Sequence, residues 1–186
     1  MVCGVNFAIS LGGSRPAVDR GPVTILDPPS PRPLQPSPSF SAPVATVDGG
    51  PTTSFELPVG TAARFTDQDG TWTVALLGVA WIDRCEDFLG GTGPVVAFDI
   101  RYEVTAGAVS IIPLTDFTFV LADGTKAKVG VLSNCAASPL DYTVISVGQV
   151  HRGWIGIELP AGSQGGTLTY GQLAVPTASW TVQRGS

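Results

Sequence analysis

Residues 94–104, PVVAFDIRYEV, alternate with a period of two. Strict alternation of this kind predicts a β-strand with one face in a core and the other in water. The residues expected to point inward are Val96, Phe98, Ile100, Tyr102 and Val104, and those expected to face water are Ala97, Asp99, Arg101 and Glu103. The fold is therefore expected to rest on a half-buried sheet.

The segment before it, residues 71–82 (TWTVALLGVAWI), is too rich in β-branched and aromatic residues for a helix. Its phase changes in the middle: Trp72, Val74 and Leu76 share one face, whereas Leu77, Val79 and Trp81 follow a shifted alternation. This pattern predicts one long strand with a bulge near residues 76–78.

Shorter strand-like runs follow at regular spacing. Asp123-Gly124 separates residues 117–121 (FTFVL) from 126–131 (KAKVGV), which predicts a hairpin. The other predicted strands span residues 61–66, 149–159, 166–170 and 178–183. About eight strands without a helical period predict an all-β protein, an immunoglobulin-like β-sandwich of about 7–9 antiparallel strands, with a small barrel as the alternative.

The prolines mark a boundary in the chain. Eleven of the 16 lie between Pro16 and Pro58, and residues 27–40 (DPPSPRPLQPSPSF) are held near polyproline II. Residues 1–54 are charge-neutral, so the net charge of −5 belongs to the remainder. The prediction is an extended segment over residues 1–54, either a spacer or an unstructured tail, followed by a sandwich over residues 55–186.

The first thirteen residues, MVCGVNFAISLGG, are similar to the rear half of a secretory signal but lack its leading basic residue. Cys3-Gly4 could be the acylated start of a bacterial lipoprotein, although only two residues precede it. Lipid attachment at Cys3 is one hypothesis, and a free thiol or a cloning remnant is the other.

Cys85 and Cys135 follow predicted strands, where two sheets could bring them together, and we predict a disulfide between them. It would close a loop of about fifty residues and stabilise the fold by roughly 4 kcal/mol. Two buried free thiols are the alternative, and a disulfide would indicate a secreted or cell-envelope location.

A catalytic site is not predicted. His151 is the one histidine, within a strand where it shares a face with Gly153 and Ile155, and no GxSxG motif or Cys/His pair accompanies it. Transition-metal and other cofactors are not expected, because the remaining soft ligands are two cysteines predicted to be oxidised. The acidic balance argues against nucleic acid, and no apolar run is long enough to span a membrane.

Two loops look like ligand sites at first sight. Asp67-Gln68-Asp69-Gly70 is similar to the start of a calcium loop, but no distal Glu follows it, so a tight turn is favoured over a cation site. Residues 90–94 (GGTGP) precede a strand and not a helix, which disfavours phosphate binding. Most of the four tryptophans are expected in the core.

Several of these segments in their order resemble the bacterial telokin-like immunoglobulin domains. They are residues 70–74 (GTWTV), 95–100 (VVAFDI), 117–124 (FTFVLADG), 148–149 with 152–160 (RGWIGIELP), 168–170 and 178–180. These domains occur in actinobacterial lipoproteins and include the secreted mycobacterial immunogenic-antigen family. The resemblance covers about residues 56–183 and implies an exported β-sandwich with no assigned catalytic activity and no site residues.

The leading functional hypothesis is a non-enzymatic, exported or cell-envelope module that binds a protein or glycan. The first alternative is a structural or accessory subunit of a larger assembly that docks through its N-terminal arm. The second is a carrier of an apolar ligand between the sheets. The pattern does not indicate an oligomeric state.

Overall fold

The computed structural model describes residues 44–46, 54–85, 93–132, 135–136, 138–171 and 177–185. Within these residues the chain forms strands and one short helix. They are β1 (Val44–Thr46), β2 (Ser54–Glu56), β3 (Ala62–Thr66), β4 (Gly70–Ile82), β5 (Val95–Ile111), α1 (Pro113–Asp116), β6 (Phe117–Leu121), β7 (Lys126–Ala127), β8 (Val129–Val131), β9 (Thr143–Ser146), β10 (Val150–Glu158), β11 (Gly165–Tyr170) and β12 (Thr177–Gln183).

The strands form two sheets packed as a sandwich, which confirms the predicted fold class. The first sheet has the order β1-β3-β4-β5-β10-β8, with β9 also paired to β5, and the second has the order β2-β12-β11-β6-β7. Pairing is antiparallel except at two edges, where β1 runs parallel to β3 and β2 runs parallel to β12. The described residues hold twelve strands, more than the predicted 7–9, because β1, β2 and β9 were not expected and one predicted strand is two.

The long strand β4 contains the expected bulge. Its register against β5 shifts between Leu76 and Gly78, where the apolar phase of the sequence changes, and again between Thr71 and Trp72. The shift returns Val79 and Trp81 to the core side of the sheet. The bulge thus keeps a thirteen-residue strand amphipathic along its whole length.

The prediction for the two faces of β5 is correct for the inward face and for half of the outward face. The five residues expected in the core are buried. Ala97 and Asp99, expected to face water, are also fully buried, whereas Arg101 and Glu103 are partly exposed. The reason is a second apolar cluster, which covers the outer face of the first sheet at this end.

The Asp123-Gly124 hairpin forms as predicted. Gly124 has a φ of 86°, and β6 pairs with β7 through Phe119 and Ala127. The predicted strand 126–131 is, however, divided: β7 belongs to the second sheet, and β8 pairs with β10 in the first. The chain therefore crosses between the sheets near Lys128.

The space between the sheets is filled by interlocking aromatic rings. Phe65 lies 4.9 Å from Tyr170, and Phe98 lies 5.5 Å from Phe119, measured between ring centroids. Ring pairs at such distances and tilted angles add stability beyond the apolar area that they bury.

A short buried polar chain runs through this core. The indole Nε1 of Trp72 donates to the Tyr170 hydroxyl at 2.9 Å, and the Tyr102 hydroxyl donates to Asp116 Oδ2 at 3.4 Å. The Ile112 amide also donates to Asp116, at 2.8 Å. Burial is the main cause that raises the pKa of both tyrosines above the usual value of a phenol.

Strands β10 and β9 pair with two successive parts of β5. Ser146 to Thr143 pair with Ala108 to Ile111, and Val150 to Glu158 pair with Glu103 to Val95. The turn at residues 147–149 separates the two strands, with Gly148 at a φ of 79°. Strand β9 therefore lies beside the last part of β5, beyond the stretch that β10 covers.

Candidate interaction surface

The predicted disulfide is present, but it does not connect the two sheets as expected. Cys85 and Cys135 are bonded, with their Cα atoms 5.9 Å apart. Cys85 follows β4 and Cys135 follows β8, and both strands belong to the first sheet. The bond therefore spans the outer face of one sheet and does not join two sheets.

Beneath the bond lies the second apolar cluster. Cys85 packs there with Trp154, Leu132, Val95 and Ala97. The chain after Cys135 continues to Ser138 and Leu140, which exchange backbone hydrogen bonds with Trp154 at 2.9 Å each. The disulfide thus fastens a loop that covers Trp154.

An ion pair borders this cluster. Arg152 donates to both carboxylate oxygens of Asp99, at 2.9 and 2.6 Å, and Asp99 is fully buried. These hydrogen bonds raise the pKa of Arg152. The ion pair thus neutralises a buried carboxylate beside the second apolar cluster.

The Asp67–Gly70 segment is a turn, as favoured. Asp67 Oδ1 accepts hydrogen bonds from the amides of Asp69 and Gly70, at 2.8 and 3.0 Å. A carboxylate occupied in this way shapes the β3–β4 turn. Neither Asp67 nor Asp69 belongs to a group of three or more metal-ligating side chains within the described part of the chain.

His151 lies on the inner face of β10, directly across from Tyr102 of β5. Its Nε2 is buried and has no hydrogen-bond partner among the described residues. The predicted placement of His151 within a strand is therefore correct, and its ring lies at the edge of the core.

Several predicted features fall outside the described residues. These are Cys3 and the possibility of lipid attachment there, the proline-rich segment 27–40, and Gly90, Gly91 and Thr92 of the glycine-rich loop. Of the described residues, none forms a helix that is long and apolar enough to cross a membrane. The boundary at residues 54 and 55 stays a prediction.

The structure reveals a surface that sequence reasoning missed, which we call the apolar edge. Six of the seven large apolar side chains described as exposed lie in β9, in the residues that flank it, or just after the end of β5 with which it pairs, and 40–67% of their surface is in water. They are Ile112, Leu114, Tyr142, Val144, Val147 and Val150. A group of this kind indicates an interaction site, whereas single exposed apolar residues do not.

The backbone of β9 is also available for pairing. Ala108 and Ser146 face each other, and the Ala108 amide bonds to Asp69 on the far side, so this pair is not hydrogen-bonded across the ladder. Because antiparallel pairs alternate, Val144 opposite Ser110 has the same orientation, and its N–H and C=O point away from β5. On that side the described residues provide no neighbouring strand.

This edge lacks the charges that commonly protect exposed strands. Residues 142–150, YTVISVGQV, contain no charged residue and no proline. By contrast, the two edges of the second sheet carry Glu56 in β2 and Lys126 in β7. Charged or proline-bearing edges discourage pairing, and an uncharged apolar edge favours it.

The uncharged run at residues 142–150 was the available signal for this site. The alternation of apolar and polar residues is weak, because the neighbouring apolar residues Val144 and Ile145 face opposite sides of the sheet. Gly148 also interrupts the pattern. The period therefore did not indicate a strand. Absence of charge over nine residues was the stronger observation.

A second surface feature is a cleft of about 600 Å³ on the outer face of the second sheet. Three threonine hydroxyls line it together with apolar side chains such as Val120 and Leu121, and Thr167 and Thr181 are in contact through their Oγ1 atoms at 3.3 Å. Arg184 lies at its rim, where it pairs with Asp83 at 2.6 Å and lies over Trp81. The cleft offers hydrogen bonds but no aromatic platform for a sugar ring.

Neither a family model nor a curated protein matches the sequence. Solved structures show similarity in fold. MPT63, a secreted protein from Mycobacterium tuberculosis, aligns with a TM-score of 0.54 at 14% identity, over 70% of this chain and 98% of MPT63. The yjhA protein of Bacillus subtilis aligns with a TM-score of 0.47 at 11% identity, over 66% of this chain and 98% of yjhA.

A candidate lipoprotein of Bacillus subtilis, ycdA, aligns with a TM-score of 0.47 at 13% identity. The match covers 64% of this chain and 38% of ycdA. At 14% identity the likeness to MPT63 bears on the fold alone, and it agrees with the immunoglobulin-like sandwich.

Proposed function

We propose that this chain is an exported, non-enzymatic protein-binding module and that it binds through the apolar edge. The observation that carries the proposal is that six exposed apolar side chains belong to β9, to its flanking residues and to the segment after the end of β5, with which β9 pairs. The outer edge of β9, which has no neighbouring strand among the described residues, supplies directional hydrogen bonds, and the side chains supply apolar area. Strand addition to a sheet edge combines these two contributions.

Export is supported by two observations. Disulfides persist in oxidising compartments, and Cys85–Cys135 is one. The fold is also that of MPT63, which is a secreted protein. We propose membership of the telokin-like family on the same grounds, together with the motifs at residues 70–74 and 152–160.

The binding function is tested by capture of cell-envelope or host proteins with purified chain, cross-linking and mass spectrometry. The Val144→Lys variant places a charge at the centre of the apolar edge and should lose the captured protein. Val59→Lys is the matched control, because Val59 is also exposed but lies in the turn before β3. Equal capture by wild type and by both variants would contradict the proposal.

An accessory subunit that docks through its arm is the second candidate. It is favoured by β1 and β2, which follow the proline-rich stretch 27–40 and add parallel edge strands to both sheets. An arm embedded in an assembly would resist trypsin at Arg20 in the native complex, and a free spacer would be cut there.

Two further proposals have less support. A carrier of an apolar ligand would need space between the sheets, which aromatic side chains fill, with Phe98 and Phe119 5.5 Å apart. A glycan would have to bind the hydroxyl-lined cleft without aromatic stacking. Lipid attachment at Cys3 also stays a proposal, and the intact mass of the native protein would test it together with the disulfide.

A further inference from the structure

We propose that the apolar edge pairs with the same edge of a second copy, forming an antiparallel two-fold dimer centred on Val144. The inference rests on the proposed function, since it names the partner for that binding surface. In this arrangement β9 of each copy extends the first sheet of the other.

The backbone geometry suits a two-fold axis at Val144. Its N–H and C=O both point away from β5, because the opposite residue, Ser110, forms a non-hydrogen-bonded pair with it in the ladder. Two antiparallel β9 strands placed edge to edge would therefore exchange both hydrogen bonds between the two Val144 residues. One orientation satisfies both copies, as an isologous interface requires.

The charge distribution suits a second copy as well. Asp141 is the charged residue nearest to β9 in sequence, and in the centred register it lies opposite Val147 of the other copy. The register also places Tyr142 opposite Ser146 and Thr143 opposite Ile145. No like charges meet, so a chain with a net charge of −5 can associate along this edge without direct repulsion.

The length of the pairing is limited by Gln149. Its side-chain Oε1 accepts the Ser146 amide at 2.6 Å, and its own amide donates to the Ser146 carbonyl at 3.0 Å. The Ser146 N–H would otherwise be the next donor toward the second copy. Gln149 thus restricts the interface to the bonds between the two Val144 residues and their apolar surroundings, which predicts a weak, transient dimer.

The two-fold pairing also limits the assembly to two copies. The pairing uses the β9 edge of both copies, so no equivalent edge is left to add a third copy. The expected product is a dimer, and a growing fibre is not expected.

The test is sedimentation velocity of the full chain over a range of concentrations. Wild type should show a concentration-dependent dimer. Val144→Lys should sediment as a monomer, because two lysines would meet at the axis and the valine contacts would be lost. Val59→Lys adds the same charge elsewhere and should behave like wild type.

Gln149→Ala is a second variant with the opposite expected result. It frees the Ser146 N–H in each copy for the Tyr142 carbonyl of the other, adding two hydrogen bonds. The dimer association constant should rise roughly tenfold or more. The thermal transition of the Gln149→Ala variant should match that of wild type, which shows that the variant folds. If the folded variant associates no more strongly than wild type, strand pairing in this register is wrong.

The outcomes separate the dimer from the proposed function. A wild-type chain that is monomeric at all concentrations overturns the dimer. The binding module would then still stand if the Val144→Lys variant alone loses a captured protein. A dimer that the Val144→Lys variant preserves would also overturn the inference, because the interface would lie elsewhere.

Discussion

Tyr102 and Tyr170 place two phenolic hydroxyls inside the sandwich, and hydrogen bonds with Asp116 and Trp72 satisfy them. Burial raises the pKa of both groups, because a phenolate in the core would lose its hydration. Their contribution to stability is complete below the ordinary tyrosine pKa of about 10. It is lost as the pH rises above that value, because only the unfolded chain then ionises readily.

We therefore predict that the free energy of unfolding falls above about pH 10, with phenolate absorbance from Tyr102 and Tyr170 appearing together with unfolding. Tyr142 is 67% exposed and would obscure the signal, so the measurement uses the Tyr142→Phe variant. Phenolate absorbance that precedes the loss of circular dichroism would contradict the buried network.

Arg152 neutralises a fully buried carboxylate. We predict that Arg152→Met lowers the free energy of unfolding by about 3 kcal/mol, since Asp99 would stay buried without its partner. Arg101→Met is the control, because the Arg101–Glu103 pair at 2.7 Å is more exposed and should contribute at most about 1 kcal/mol. Urea unfolding of both variants measures the difference, and equal losses would show that the burial of Asp99 does not matter.

At the scale of elements, the loop fastened by Cys135 protects the outer face of the first sheet. We predict that replacing Cys85 and Cys135 by alanine lowers the free energy of unfolding by about 4 kcal/mol, mainly by freeing the unfolded chain. The core between the sheets should persist, because the bond does not reach it.

Hydrogen exchange would locate the effect of the missing bond. The Trp154 amide, bonded to Ser138, should lose more protection in the double variant than the amides between β4 and β5, whose loss reports the lower free energy of global unfolding alone. An equal loss of protection at both places would indicate that the bond does not hold the loop over Trp154.

The elements that sequence reasoning identified are those with a persistent period of two, such as β4 with its bulge at Leu76. Division of residues 126–131 between two sheets was not foreseeable, because a crossing changes the partners of a strand but not its alternation. Burial of Asp99 was missed for a related reason: the covering cluster joins Cys85, Trp154 and Leu132 from distant segments. Pairwise periodicity along one strand cannot indicate such contacts.

At the scale of the molecule, β1 and β2 follow the proline-rich stretch 27–40, and each adds an edge strand to one of the two sheets. We predict that a chain beginning at residue 58 unfolds with a free energy about 3 kcal/mol lower than one beginning at residue 54. Phe55 and Leu57 pack against the core, and the Ser179 hydroxyl donates to the Phe55 carbonyl at 3.1 Å.

Thermal and urea unfolding of the two truncated chains provide the measurement. Equal stability would mean that the pairing of β2 with β12 adds little to the fold. It would also move the start of the folded unit beyond the boundary predicted at residues 54 and 55.

The disulfide could be predicted from the sequence, whereas the one sequence signal for the apolar edge was the uncharged run at residues 142–150. Cys85 and Cys135 could be paired because both are cysteines and both follow predicted strands. Val144 becomes notable only when β9 is known to be an edge, a property of the whole sheet and not of residues 142–150.

The Cys85–Cys135 bond also makes a covalent ring of the intervening chain, which includes β5 and β8 of one sheet and β6 and β7 of the other. The exposed tip at Asp123 and Gly124 belongs to this ring. A protease that cuts at this tip would therefore leave both fragments joined, migrating as one species until a reductant separates them. The protein could therefore lose a peptide bond at this tip without releasing either fragment.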